Sequence, residues 1–324
     1  MKPVKTMMKK NITNLIVASA ALLMAQGCTK DDLSVCGVDI TFKYDMNMDY
    51  ADKFGSDVDK INLFVFDSLG FFVSEHEQEF SNPNHNQMHL LLEPGVYDFV
   101  AWGNLDTDAF SVTQQNAGTT RRSNMRVGIK SSGGEVVNCP GKLFHGSINR
   151  VRVKRLNNGT NLVSLIKNTN AVKVTATGLP YTVNSNARAS VEPEFTLRVT
   201  SQNGEYDNSN TLTSNSTIRY TPQYDYSGQS RSTLVSNFNV LRLYNNESCG
   251  TRIVVTHTQA NGAQQEIFNE SVTGLILQAD SNIDFDRKDS FEIEIGFDHT
   301  YTVVSIIVDG YVIVDSSNNG GVLG

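Results

Sequence analysis

Few side chains in this sequence have the type and spacing to do chemistry. His85 and His89 stand four apart, as two ligands of one metal ion do on a helix. Asn82-Pro-Asn-His-Asn86 is turn-forming, however, so the pair is read as part of a solvated loop. Asp45-Met-Asn-Met-Asp49 opens like a calcium loop, but Tyr50 stands where glycine is needed and Ser56 where a bidentate glutamate belongs. His145 is followed by Gly146 and Ser147 with no acid in view to orient it, and is read as a turn residue. There is no Gly-x-Ser-x-Gly elbow, Walker loop or His-Glu-x-x-His helix. No catalytic residue, metal or cofactor is therefore expected. The remaining candidate is Cys28, whose thiol follows Ala25-Gln-Gly27 at the end of an apolar run. A thiol in that position is a substrate for lipidation rather than a catalyst.

Residues 1–27 have the parts of a secretory signal: Lys2, Lys5, Lys9 and Lys10 without an acid, then the apolar run Leu15 to Ala25. That run is shorter than the roughly 20 residues needed to span a bilayer. The end of this run resembles a bacterial lipobox, which implies removal of the signal before Cys28, a diacylglycerol on its thiol and an acyl chain on its amine; an ordinary secretory signal followed by an incidental cysteine is the other reading. Three acyl chains exceed the two-signal requirement for stable anchoring. Ala25 stands where such signals most often carry leucine. Beyond the cysteine, Lys30, Asp31 and Asp32 resemble the Lys-acid-acid signal that sends lipoproteins of the Bacteroides group to the outer face of the outer membrane. The same residues also suit a plain solvated tether, 28–35.

Removal of the four lysines takes the formal net charge from −7 to −11, which argues against a nucleic-acid partner. Cys36, Cys139 and Cys249 remain, in a compartment that permits pairing. Three cysteines allow one bridge; Cys36 with Cys139 is the expected pair because both fall in the first domain, leaving Cys249 free.

Short β-branched and aromatic runs cut by turn dipeptides dominate the mature chain, with almost no helical periodicity. Ile61 to Phe66, Phe71 to Val73 and Gly95 to Trp102 read as strands. Arg252 to Thr258 and Glu266 to Phe268 flank Asn261-Gly262, a hairpin signal. Phe291 to Phe297 alternates with period two, and Val303 to Val308, Asp309-Gly310 and Tyr311 to Val314 make a last hairpin. Thr107 to Thr120 and Ser201 to Ser216 lack apolar periodicity and are expected to be long loops. The fold class is all-β, with two β-sandwiches at 36–160 and 161–314 and a mobile tail at 315–324. Trp102 is expected in the core of the first sandwich.

Several of these segments, in order, carry a resemblance. Ile40-Thr-Phe-Lys-Tyr44, Asp52-Lys-Phe54, Val58-Asp-Lys-Ile-Asn-Leu-Phe-Val-Phe-Asp67 and Gly70 are followed by Leu92-Glu-Pro-Gly-Val-Tyr97, Val100-Ala-Trp-Gly-Asn104 and Leu143-Phe-His-Gly146. Together with the lipidation signal this order resembles the FimB/Mfa2 family of fimbrial anchoring subunits of Bacteroidales. Val308-Asp-Gly-Tyr-Val-Ile313 resembles the family's last hairpin, with Tyr311 where tryptophan is expected. The resemblance implies two tandem transthyretin-like sandwiches and a lipid-anchored subunit at the base of a type V pilus, on the cell surface. It also implies strand exchange with the stalk subunits. The candidate segment is Val303 to Val314, with Val303, Val304, Ile306, Val308, Val312 and Val314 as its apolar residues; an ordinary core hairpin is the other reading. The competing function is a surface lipoprotein that binds glycans or host ligands, for which Tyr220, Tyr224 and Tyr226 are the one aromatic cluster.

Overall fold

The computed structural model describes residues 37–155, 158–179, 195–202, 204–213, 216–220, 223–224, 233–245 and 250–316. The N-terminal part begins with β1 (Gly37–Lys43), the single-turn helix α1 (Phe54–Asp57), β2 (Lys60–Asp67), β3 (Phe72–Glu79), β4 (Gln87–Leu91) and β5 (Gly95–Gly103). It continues with β6 (Phe110–Val112), β7 (Arg126–Ile129), β8 (Ser131–Ser132), β9 (Glu135–Val136), β10 (Phe144–Val153), β11 (Asn161–Ser164) and β12 (Ile166–Lys167). The C-terminal part has β13 (Thr169–Thr177), β14 (Phe195–Ser201), β15 (Glu205–Asp207), β16 (Ile218–Tyr220), β17 (Gln223–Tyr224) and β18 (Thr233–Leu241). β19 (Arg252–Thr258), β20 (Gln264–Ser271), α2 (Val272–Ala279), β21 (Ser290–Phe297), β22 (Val303–Val308) and β23 (Tyr311–Asp315) complete it.

In β1 the pleat sends Val38, Ile40 and Phe42 inward while their neighbours stay partly wet. That face of the sheet β11-β1-β4 packs on the sheet β12-β10-β5-β2-β3, where Ile61, Leu63, Val65, Phe99 and Ala101 meet it. The other face of the larger sheet is buried as well, through Phe64, Phe66, Val100 and Trp102. Burial on both faces is why Ile61 to Phe66 reads as an almost unbroken apolar run rather than an alternation.

The second sandwich sets β17-β18-β13-β21-β22-β23 against β20-β19-β14-β16-β9-β8. Val172, Val174 and Ala176 of β13 and Ile293 and Ile295 of β21 face Leu197 and Val199 of β14 and Ile253 and Val255 of β19 in the same core. Ser271 caps α2 by accepting a hydrogen bond from the Gly274 N–H (3.0 Å), leaving Val272, Leu275 and Ile276 to close one end of the core. The fold is thus the all-β arrangement of two tandem sandwiches that the strand pattern predicts.

The two units are laced together, which the sequence does not announce. β8 and β9, from the first half, complete a sheet of the second, Arg219 pairing with Glu135 in parallel. In the other direction, β15 adds to β7, with Tyr206 opposite Val127. Of the segments expected as long loops, 201–216 supplies β15 of this lacing, and 107–120 supplies β6, which pairs with the other edge of β7. Phe110 and Tyr206 are buried, but each lies in a strand too short to show a period, and Ala109 is buried in the turn before β6. β11 and β12 pair with β1 and β10, so residues 161–167 belong to the first sandwich's sheets; we place the division between units at Asn168 rather than Thr160.

Gly178 follows β13 at φ +79°, and a Cβ there would lie 1.9 Å from the Phe297 carbonyl oxygen. A left-handed backbone and an immovable backbone contact act together at this position. Gly178→Ala is expected to cost about 3 kcal/mol, read as a lower urea midpoint with an unchanged slope.

Candidate functional site

The C-terminal hairpin is the feature that offers a surface to another chain. Asp309 and Gly310 take φ +50° and +84°, the left-handed pair a two-residue hairpin turn needs. β22 pairs with β21 on one side and with β23 on the other, Ile306 opposite Val314 and Ile307 opposite Val312. The expected segment therefore divides into two parts. Ile306 and Val308 are core residues and Val303 and Val304 are half-buried, whereas Val312 is 57% and Val314 36% exposed. β23 ends its sheet, and no strand lies along its outer edge among the described residues. Tyr311, Val312 and Val314 thus form an exposed apolar edge, of the kind that templates pairing with another chain.

A groove of about 580 Å³ opens beside this edge. One wall is β20, itself the last strand of the opposing sheet, through Glu266, Phe268 and Glu270; Leu275 of α2, Val303, Ile306 and Val314 form the rest. No further strand pairs with either edge here among the described residues, and α2 packs beside both. An extended segment laid along it could pair its backbone with β23 and insert alternate side chains over Ile306 and Leu275.

Other residues singled out by sequence lie elsewhere. Cys28, Lys30, Asp31, Asp32, Cys36, Cys249 and Tyr226 lie outside the described residues. Cys139 is exposed near Gly103, since its neighbours Asn138 and Lys142 bond to Asp108 and Asp57. Gly37, next to Cys36, belongs instead to the end of the sandwich where β5 begins, Asn158 bonding both Gly37 and Lys154. The expected Cys36–Cys139 pair involves a residue outside the described ones. His89 bonds to Asp39 through Nδ1 at 2.8 Å, whereas His85 packs on Phe80. Tyr220 is buried, its hydroxyl accepting from the Leu241 N–H, and presents no ring to a ligand.

His145 is not in a turn. It lies on β10, opposite Trp102 of β5, and its Nε2 meets the Asn208 carbonyl at 3.2 Å. Trp102 is fully buried as expected, but at the junction between units rather than inside the first sandwich. Around this pair lie Tyr206, whose hydroxyl accepts from the Arg242 N–H, and Asn168, hydrogen-bonded to Asn210. Arg122 bonds Asp98 at 2.9 Å and Asn208 at 2.8 Å. The abortive calcium loop serves the same junction: Arg287 donates to the carbonyls of Asp45 and Asn47 and stacks on Tyr50. Each partner is distant in sequence from the other, so no local pattern could reveal this clamp.

Burial lowers the pKa of His145 from 6.5 to about 4. The folded protein keeps it neutral where the unfolded chain would protonate it. Stability from this group is complete above pH 6.5 and is lost as pH falls toward 4, by about 3 kcal/mol. Urea titrations at pH 7 and pH 4.5 are expected to show this loss, and His145→Gln to reduce it.

Comparison with known proteins gives the geometry a context. The model of the fimbrillin-A associated anchor proteins Mfa1 and Mfa2 matches residues 33–317. The chain belongs to this family. As a family member it is a fimbrium-associated protein of the cell surface whose partners are fimbrial subunits. Among solved structures it is similar to the fimbrial anchor protein Mfa2 from Porphyromonas gingivalis, with 22% identity, a TM-score of 0.70 and coverage of 86% of this chain and 99% of that one. A protein from Bacteroides thetaiotaomicron described as a putative polysaccharide binding protein gives 23% identity and a TM-score of 0.71, over 88% and 100% of the two chains. A putative adhesin from Bacteroides ovatus gives 20% and 0.69, over 86% and 94%. At these identities the structures establish the anchor family's fold. No curated protein sequence matches the chain.

Proposed function

We propose that this member of the anchor family holds a fimbrium to the outer membrane through a lipidated Cys28 and contacts the stalk by strand exchange at its C-terminal edge. The observation that supports it most is β23, an exposed apolar strand that ends its sheet beside a groove between two sheet edges. Such an edge is a hazard in a protein that stays alone, and few of the usual protective devices are present: β23 carries one charge, Asp315, at its end and no proline. Cys28 would supply attachment to the membrane and β23 attachment to the fibre. The residues Lys30, Asp31 and Asp32 would direct the chain to the outer face.

The test is affinity recovery of the tagged protein from detergent-solubilised outer membranes, with mass spectrometry of what accompanies it. A ladder of fimbrial subunits is the expected result. Recovery of a lipidated but solitary protein would overturn it and move the reading to a surface module for glycans or host ligands.

A further inference from the structure

The chain is acidic overall, with 34 Asp and Glu against 27 Lys and Arg, yet no acid occurs between Glu135 and Glu192. Within that stretch Arg150, Arg152, Lys154 and Arg155 occupy six consecutive positions with two valines. The valines explain part of the arrangement: Val151 and Val153 turn into the first core, so the pleat drives Arg152 out of the opposite face of β10, and Lys154 follows directly after the strand. Arg150 is exposed at a bulge, with φ +58°, and Arg155 follows Lys154 past the end of the strand. All four are exposed, and none forms an ion pair among the described residues. Four cationic side chains at one end of a sheet repel one another, a cost that a solvated surface of mixed sign would avoid.

Their location suggests a use. Asn158 donates to the Gly37 carbonyl at 2.9 Å, and its side chain also bonds both the N–H and the carbonyl of Lys154. A single side chain therefore joins the basic run to the residue where the described chain begins. Cys28 is nine residues upstream of Gly37, and nine residues reach at most about 30 Å. The same end of the sandwich carries Leu91, opposite Gly37 in the ladder and 59% exposed, and Leu69, 71% exposed in the turn after β2. Of the acids there, Asp39 is bonded to His89, Asp67 to the N–H groups of its own turn, and Asp98 to Arg122; Glu93 is the exception.

We propose that this end is a membrane-facing surface, on which Arg150, Arg152, Lys154 and Arg155 bind anionic lipid headgroups while Leu69 and Leu91 meet the interface. The inference rests on the lipid-anchor reading for its orientation. The acyl chains would hold the patch at high local concentration over the headgroups, so modest electrostatic attraction suffices to fix the body's tilt. The edge β23 would then be presented at a set angle instead of swinging on its tether.

Vesicle sedimentation of the mature chain carrying Cys28→Ala isolates this contact from the lipid. Vesicles of phosphatidylcholine with 30% phosphatidylglycerol are expected to bind it, pure phosphatidylcholine not, and 0.5 M salt to release it. Each basic residue near such a surface contributes about fivefold. Arg152→Ser with Lys154→Ser should lower partitioning about 30-fold, whereas Lys142→Ser with Lys173→Ser, away from this end, should leave it unchanged. Equal binding to neutral and anionic vesicles, or indifference to Arg152 and Lys154, overturns the proposal. Stronger binding to polyglutamate than to vesicles also overturns it, in favour of an acidic protein segment. Failure of the anchor reading is seen separately, as native protein that fractionates with membranes regardless of Cys28.

Discussion

Cells producing Cys28→Ala are expected to shed their fimbriae into the medium with the variant attached, while the native protein stays with the outer membrane. Each buried methylene of an acyl chain contributes about 0.8 kcal/mol, so three chains amount to attachment without measurable release. Nothing in the described structure substitutes for them, since no described helix is long and apolar enough to cross a membrane. The basic end would bind only weakly by itself. The substitution also removes the cleavage site, so an uncut signal could hold the variant by its apolar run. The same mature chain behind an ordinary secretory signal removes that ambiguity. Immunoblots of medium and membranes check both variants. Retention of the second at native levels would show that the lipid is not the anchor.

How much of this could be read in the sequence depends on how local each cause is. β19 and β20 were legible because Asn261-Gly262 specifies a tight turn, and Gly262 does take φ +81°. β21 and β1 were legible because one face is wet and the other dry. β6 and β15 were not, since three residues carry no period and their burial comes from the other half of the chain. His145 shows the same limit. Leu143-Phe-His-Gly146 suggests a turn by its glycine, but Gly146 is needed because a Cβ would lie 2.6 Å from the Ser164 carbonyl oxygen. The glycine marks close approach of β11 within a strand rather than a bend. Trp102 was legible as core and not as junction, because a sequence shows that a side chain is apolar and not which of two cores receives it. At the site itself the last hairpin was readable from its β-branched runs and Asp309-Gly310. Its division into a buried β22 and an exposed β23 was not, as both strands are equally apolar and only the sheet order makes one of them an edge.

This division sets up the expected effect on assembly. Val312→Lys with Val314→Lys should reduce recovery of fimbrial subunits at least about 100-fold, since a loss of roughly 3 kcal/mol from a few ladder hydrogen bonds and apolar contacts gives that factor. Lysine on an edge strand opposes further pairing, and at positions this exposed the fold should lose no more than about 0.5 kcal/mol. Val137→Lys, at another exposed valine, is the control and should recover subunits normally. The direction of exchange follows from the same energetics. If the anchor donated β23, the ladder that pairs Ile306 with Val314 and Ile307 with Val312 would have to break first. If it accepts a strand, that ladder stays and the incoming segment pairs along the outer edge of β23. Acceptance is the less costly course. A disulfide between Ile307→Cys and Val312→Cys, which pins β23 to β22, is therefore expected to leave subunit recovery intact; its loss under oxidising conditions, restored by reductant, would make β23 the donor.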